Sequence, residues 1–460
     1  MLDLFTELLA ENELHPKFKL LNENILLRGE KEILNDWVKG FIDRDKKIVK
    51  EFQKTFHSSF WEFYLYAVFK EAKFEIDFTK NRPDFIITKP EKLYIEAVVS
   101  NIKNTGEKEE KRSLKDILSM IDPFYIRENF DYNMREAITR YSNSILSKNK
   151  KYQEYLKDKD FNEKIPYIIA LSGYEQINYG KNFYYPMMAL LYGLYFDNKK
   201  DKYDKKIGIK KTDTNSDIPI GFFLDESMAH ISAIIFSCTV TLGKLTSLAI
   251  SQKKSISKTN SVLCIRHDND FPHFKPQIVS EMSPEYLSDG LFIFHNPFAK
   301  YPITKELFNK TNVLNIEFNQ KDEALAFYGN NLPIVSRLNL FMGESFLKSS
   351  LFQISQSWNM DMVFSKAKVT SIYFLGGKDY EVSFIDLDDN LDFSIILTED
   401  MLKKYQIEEN REFICLCKLK DGEEKYFPKS EEDIELYKKI NKVRCLSLNC
   451  GEIVDIEAII

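Results

Sequence analysis

Cysteine is scarce in this chain, and six in 460 residues cannot form the disulfide framework of a small secreted fold. Cys415-x-Cys417 with Cys445-x4-Cys450 has a zinc-like look, but a strand through 443–450 turns the last two to opposite faces, so buried thiols are expected. Long apolar runs are missing too. The stretch 184–196 falls short of the roughly 20 residues that a membrane span requires. The acidic start, MLDLFTELLAENELHPKF, has no basic segment and no small-residue cleavage site, so no secretory signal is read there. A cytoplasmic protein without a membrane partner is expected. Positive charge is not in excess: the formal net charge is −6, which excludes indiscriminate coating of nucleic acid. Any phosphate affinity has to come from a local basic surface and be selective and salt-sensitive. There is no internal repeat and no Walker, Rossmann or Ser-His-Asp signature.

What is present suffices for real cores, with 44% hydrophobic and 14% aromatic residues, and the length suggests two or three domains. The pattern divides into a charged helical extension over 1–55, a main domain over 56–345 and a small β-rich domain over 346–460. An α/β fold is expected for the main domain. Its order reads as helix (59–72), strands (73–78, 84–88, 93–100), helix (133–156) and strand (166–172).

Three carboxylates stand where a soluble protein has little ordinary reason to put them. Glu62 lies in 60–69, where every other residue is aromatic, aliphatic or alanine, the pattern of a helix buried all round. Asp84 opens a short apolar strand after Pro83, and Glu96 interrupts the near-continuous apolar strand 93–99. A turn through 89–92 folds these strands into a hairpin that can bring Asp84 and Glu96 together, with Glu96, Val98 and Ser100 on one face. Buried carboxylates must be protonated, hydrogen-bonded or bound to a cation, and a hard divalent ion with oxygen ligands resolves the cost most directly. Each residue also has a plainer reading. Ser59-x-x-Glu62 matches a capping box, Asp84 suits a strand-end turn, and Glu96 suits an edge strand.

The helical acid Glu62, the Pro83-Asp84 step and the Glu96-Ala97-Val98 step, in this order, resemble the PD-(D/E)XK nuclease superfamily, the restriction-endonuclease-like fold. The resemblance covers about 51–172. Val98 departs from it, standing where the family carries a lysine. The helix over 133–156 has Met134, Ile138, Tyr141, Ile145 and Tyr152 on one stripe, with Lys148 beside it and Lys151 further round. Lys148-x-x-x-Tyr152 has the spacing of the Q-x-x-x-Y element some members carry on this helix, which makes Lys148 the candidate displaced lysine, although it also suits a stem that snorkels to solvent. The resemblance implies a mixed central sheet flanked by helices with an αβββαβ core. It implies a divalent-metal-dependent phosphodiesterase acting on nucleic acid, most readily DNA, in restriction, repair or defence. Asp84, Glu96, the Ala97 carbonyl and Glu62 would hold Mg²⁺ or Mn²⁺, and Lys148 would position the nucleophile or the phosphate. The rival is a nuclease-like module without catalysis that binds nucleic acid or a partner protein.

The charged segment 101–129 is too long for a tight connection and suits a lid or a groove wall as well as a solvated connector. The run 184–196 reads as a buried helix. Lysine-rich 197–213, with Lys205 and Lys206, and 252–258, with Lys253 and Lys254, read as solvated loops that would offer phosphate contacts if they bind; Lys151, Tyr152 and a stacking Tyr203 join them as nucleic-acid candidates. Strands at 231–237, 261–265 and 291–294 should extend the central sheet or form a second one. His267-Asp268-Asn269-Asp270 with His273 lacks a metal-ligand spacing, and His295-Asn296-Pro297 reads as a strand-ending turn or a site-adjacent loop. After 346, short strands around a Gly376-Gly377 hairpin turn suggest a binding or assembly module, open to a protein partner or homo-oligomer.

Overall fold

The computed structural model of the chain describes all residues except 1, 102–111, 114–115, 117–118, 121, 123–126, 128, 176–180, 201, 215, 258–259, 268–273, 322–323, 342–361, 388–391, 420–449 and 459–460. Most of the segment 102–128, the cluster 268–273 and Cys445 therefore lie outside the described residues.

Three short helices, α1 (Pro16–Glu23), α2 (Arg28–Val38) and α3 (Ile48–Lys54), precede α4 (His57–Glu71). Their apolar faces enclose α4, and together they form one core with a face of the main sheet, which is why α4 is apolar all round. Within that core Trp61 donates its Nε1–H to the Ala170 carbonyl at 3.0 Å and Tyr64 its hydroxyl to Leu287 at 3.0 Å. The polar ends of both rings are thus satisfied where their bodies are buried.

After α4 come β1 (Glu75–Asp77), β2 (Phe85–Lys89), β3 (Leu93–Asn101), the long helix α5 (Phe130–Tyr155) and β4 (Tyr167–Glu175). With β9 (Ile231–Ser237), β12 (Phe292–His295), β13 (Leu314–Asn319) and β14 (Ala324–Tyr328) they build an eight-stranded mixed sheet in the order β1-β2-β3-β4-β9-β12-β13-β14. The β3/β4, β4/β9 and β12/β13 pairs are parallel and the others antiparallel. Helices α5 and α6 (Tyr185–Tyr192) pack on the face opposite α4, in a second large core. The chain is thus mixed α/β, a large mixed sheet flanked by helices. No helix among the described residues is long and apolar enough to cross a membrane.

The run 184–196 is not one helix. Gly193 adopts φ 68°, ends α6 by donating its N–H to Ala189, and would press a Cβ to 2.7 Å from the Lys206 carbonyl. The chain then reverses into β5 (Leu194–Asp197), paired with β6 (Lys202–Lys205), and β7 (Gly208–Lys210) pairs with β8 (Asp217–Pro219). The lysine-rich stretch is therefore largely hairpin rather than loop. Tyr203 packs against Phe196 with ring centroids 5.2 Å apart, so it is held in the protein rather than free to stack on a base.

Helix α7 (Leu242–Ser251) leads into a second sheet of β11 (Phe274–Ile278), β10 (Asn260–His267) and β15 (Ile334–Phe341). Of the remaining expected strands, 231–237 and 291–294 extend the main sheet and 261–265 enters this second one. A buried ionic cluster joins the two sheets. Lys244 on α7 bonds Glu285 at 2.5 Å and the carbonyls of Tyr286 and Asp289 at 2.7 and 3.0 Å. Arg337 on β15 grips the same carboxylate through Nε at 2.9 Å and through Nη2, and Ser247 completes the shell. Burial pushes the Glu285 carboxyl up, but Arg337 and Lys244 outweigh it and hold it near 2.

The C-terminal portion contains a five-stranded antiparallel sheet, β18-β17-β16-β19-β20, formed by β16 (Met362–Gly376), β17 (Asp379–Asp386), β18 (Asp392–Thr398), β19 (Glu412–Leu419) and β20 (Cys450–Ala458). Helix α8 (Glu399–Tyr405) precedes β19, and a small separate core lies beneath. Gly376 and Gly377, at φ 124° and 64°, lie at the turn between β16 and β17, where the sequence places a hairpin.

Removing Glu285 leaves two buried cations unpaired. Glu285→Ala is expected to destabilise the protein by roughly 3–5 kcal/mol, read as a lower denaturant midpoint; an unchanged midpoint would show that the cluster adds nothing to stability.

Candidate functional site

The pairing of β2 with β3 stops at Phe85↔Ile95, one residue short of Asp84. Beyond that point the Ala97 N–H has no strand carbonyl to bond on this side and donates instead to Asp84 Oδ2 at 2.8 Å. The N–H and C=O of a strand residue point the same way, so the Ala97 carbonyl also faces this opening. Arg44, from the segment between α2 and α3, fastens the turn from outside. Its guanidinium donates to the carbonyls of Asp84 at 2.8 Å, Pro83 at 3.4 Å and Lys80. Nothing in the sequence marks Arg44 for this, because its partners are backbone atoms some 40 residues away.

Strand alternation divides β3 between the two cores. Ile95, Ala97 and Val99 face α4, whereas Tyr94 and Val98 pack on the side of α5. Glu96 shares that second face and is completely buried. It points at α5, where Lys148 reaches its Oε1 at 2.9 Å, Lys151 reaches the same oxygen, and the Tyr155 hydroxyl donates to Oε2 at 2.9 Å. Lys148 also lies 3.9 Å from Asp84 Oδ2, so its ammonium sits between the two acids. Burial pushes the Glu96 carboxyl up, but the Lys148 and Lys151 charges more than reverse it and hold it below the usual range.

Lys151 is thus no bystander, contrary to its place further round the stripe. A step of three residues returns to within about 60° of its start and a step of seven to within about 20°, so Lys148, Lys151 and Tyr155 share one face. That spacing was available in the sequence. The i+4 pairing selected Tyr152 instead, and Tyr152 is buried among Tyr167, His230 and Phe161, at centroid distances of 4.8, 4.6 and 5.6 Å. It is a packing residue rather than a nucleic-acid contact.

Glu62 is the only residue of 59–69 that is not fully buried. The capping-box alternative does not hold. Helix α4 begins at His57 after Phe56, which places Ser59 inside the first turn with its hydroxyl buried and unpartnered among the described residues. Burial pushes the Glu62 carboxyl up to about 8, and the charge on Asp84 adds to the shift while Lys148 and Arg44 oppose it. Burial likewise raises Asp84 to about 6, with Glu96 adding to it and Lys148, Lys151 and the Ala97 N–H working against it. The three acids are therefore graded. Glu96 is ionised and matched by cations, whereas the Asp84 and Glu62 side is short of positive charge.

That imbalance bears on a cation. Among the described residues no three His, Cys, Asp or Glu side chains form a group able to enclose a metal ion. What the opening offers is all oxygen: the Asp84 carboxylate, the Ala97 carbonyl and Glu62 nearby. Such a set suits a hard ion like Mg²⁺, which binds through one or two carboxylates and keeps several waters.

The other candidates are engaged elsewhere. Lys206 lies 3.6 Å over the Tyr195 ring, and Lys205 is exposed on the β6 edge. Lys253 pairs with Glu281, and Lys254 pairs with Asp36 of α2 at 2.6 Å. His295 bonds Asn315 at 2.9 Å, and the Asn296 amide caps the carbonyls of Met228 and Ile231 at 3.0 and 2.8 Å, the work of a strand-ending turn. Cys238 and Cys264 are buried free thiols pushed up to about 12 by burial. No family model, curated protein or solved structure matches the chain.

Glu62 holds its proton more tightly folded than at its ordinary value of 4.5, so this stabilisation is present below that pH and is lost as pH rises toward about 8. In EDTA, Glu62→Gln should therefore gain in melting temperature relative to wild type as pH climbs through that window, and Mg²⁺ should narrow the gap at the upper end. Parallel curves would remove Glu62 from the cluster. Arg44→Ala should speed amide exchange across 80–89 by hydrogen-exchange mass spectrometry with little loss of global stability; unchanged exchange would mean the clamp is idle.

Proposed function

We propose that the chain is a divalent-metal-dependent nuclease of the PD-(D/E)XK type, hydrolysing phosphodiester bonds in DNA. The observation that carries this reading is the Lys148 ammonium, 2.9 Å from Glu96 and 3.9 Å from Asp84, beside the open edge at Ala97. The element order supports it as well: an acid-bearing helix, a hairpin with an acid on each arm, a lysine-bearing helix and a strand parallel to β3. In this reading Lys148, contributed by α5, takes the role of the lysine that Val98 lacks.

Asp84, the Ala97 carbonyl and Glu62 are the donors that would hold Mg²⁺ or Mn²⁺, whereas both oxygens of Glu96, expected among them, are taken up by Lys148, Lys151 and Tyr155. Such an ion, when bound, lowers the pKa of a water ligand and offsets charge developing on the phosphate. The chain's own residues do the rest. Asp84, fastened by the Ala97 N–H and the Arg44 clamp, presents an oriented carboxylate. Lys148 directs an N–H at the attacking water or the phosphate oxygen. Glu96, itself fixed by the Tyr155 hydroxyl, holds that ammonium in place, and Lys151, a third exposed, would meet a phosphate of the strand.

A second reading has its own support. Glu96 is fully occupied by Lys148, Lys151 and Tyr155, and this internal neutralisation suits a nuclease-like module that binds nucleic acid or a partner protein without cutting.

Cleavage of labelled DNA with Mg²⁺ or Mn²⁺ separates the two. Asp84→Ala should abolish it. Lys148→Ala should lower turnover by roughly two to four orders of magnitude, and Lys151→Ala by less, because Lys151 does not bridge to Asp84. Wild-type cleavage by Asp84→Ala would sink the site, and metal-independent binding without cleavage by the wild type would favour the second reading.

A further inference from the structure

A pocket of about 610 Å³ opens between the second sheet, the turn before β13 and helix α8. Its size falls in the range of small-molecule sites. Lys275 of β11, Lys310 and Lys404 of α8 line it, and among the described residues the one acid on its wall is Glu71 at the end of α4. Arg266, also on the wall, is held by three acceptors: Gln277 at 2.7 Å, the Leu332 carbonyl at 2.6 Å and Asp289 at 2.8 Å. The facing loops are tied together by Asn330, whose amide donates to the Thr311 carbonyl at 2.9 Å.

One further feature narrows the ligand. Tyr286 lines the pocket and is about half exposed, at 49%, which offers a ring on which a planar group can stack.

We propose that this pocket binds a nucleoside polyphosphate. The lysines Lys275, Lys310 and Lys404 receive its phosphates as point charges. Tyr286 takes the base. Contributions from several separate elements, closing around one concavity, favour a free nucleotide over an extended strand. The site shares no residue with the Asp84–Glu96 cluster, so the proposal stands apart from the nuclease reading.

The test is calorimetric titration of the full chain with ATP and GTP, with tripolyphosphate and a short single-stranded oligonucleotide as comparison probes. A nucleoside triphosphate should bind saturably at one site per chain. Its affinity should fall at least tenfold in Lys310→Glu, an exposed position that does not threaten folding, and in Lys275→Glu. Asp84→Ala should bind like wild type. Absence of nucleotide binding, or binding indifferent to both substitutions, would overturn the proposal. Tripolyphosphate binding as tightly as ATP would remove the base contact and overturn the nucleoside part of the proposal, and an oligonucleotide that displaces ATP at lower concentration would transfer the phosphates to a nucleic-acid path.

Discussion

A fully buried carboxylate on a central strand constrains everything around it. Glu96 sits at the middle of β3 with no access to water, and an isolated charge there would be prohibitive. Lys148, Lys151 and Tyr155 supply the compensation, all from one face of α5. That requirement fixes the rotation of a 26-residue helix against the sheet. It also sets the local potential: the same two lysines that hold Glu96 ionised are only partly shared with Asp84, and hardly with Glu62. Burial raises all three carboxyls, and the gradient from Glu96 to Asp84 to Glu62 reflects how far the lysine charges offset it at each.

The edge of β3 is the second constraint. Because β2 leaves the sheet at Phe85, the Ala97 N–H and C=O lose their strand partner just where the acids converge. A backbone gap in a sheet is ordinarily filled by a side chain or water. Here Asp84 fills half of it, and the Arg44 clamp keeps Asp84 there. The segment between α2 and α3 thus contributes to the site, as the N-terminal helices do to the core.

Two buried ionic clusters among the described residues differ in character. Around Glu285 the charges are enclosed and their partners saturated, which suits a structural joint between the main sheet and the second sheet. Around Glu96 the outer members stay accessible: Lys151 is a third exposed and Asp84 a quarter. Only the second arrangement leaves charged groups with capacity for something other than one another.

Much of the architecture was legible from periodicity. Strong alternation and the all-apolar run of α4 marked the helices and strands from 57 to 175 to within a few residues, because these elements bury whole faces. The odd placement of Glu62, Asp84 and Glu96 was legible for the same reason, since a charge in an apolar pattern is conspicuous. The signal failed where burial was all-round or where it was incomplete. The 184–196 run looked like one helix because a buried strand and a buried helix are equally apolar, and only the left-handed turn at Gly193 separates them. Lysine-rich β6 and β7 looked like loops because their inward side chains are few. Tertiary structure alone decided the partners. Which lysine meets Glu96, which arginine holds the Asp84 turn, and that Lys244, Glu285 and Arg337 form one cluster all depend on residues about 40 to 55 positions apart meeting in space. Local pattern carries the period of an element and the face it buries, but not the rotation and offset at which two elements dock; those follow from the packing of whole faces, and they determine which charges are brought together.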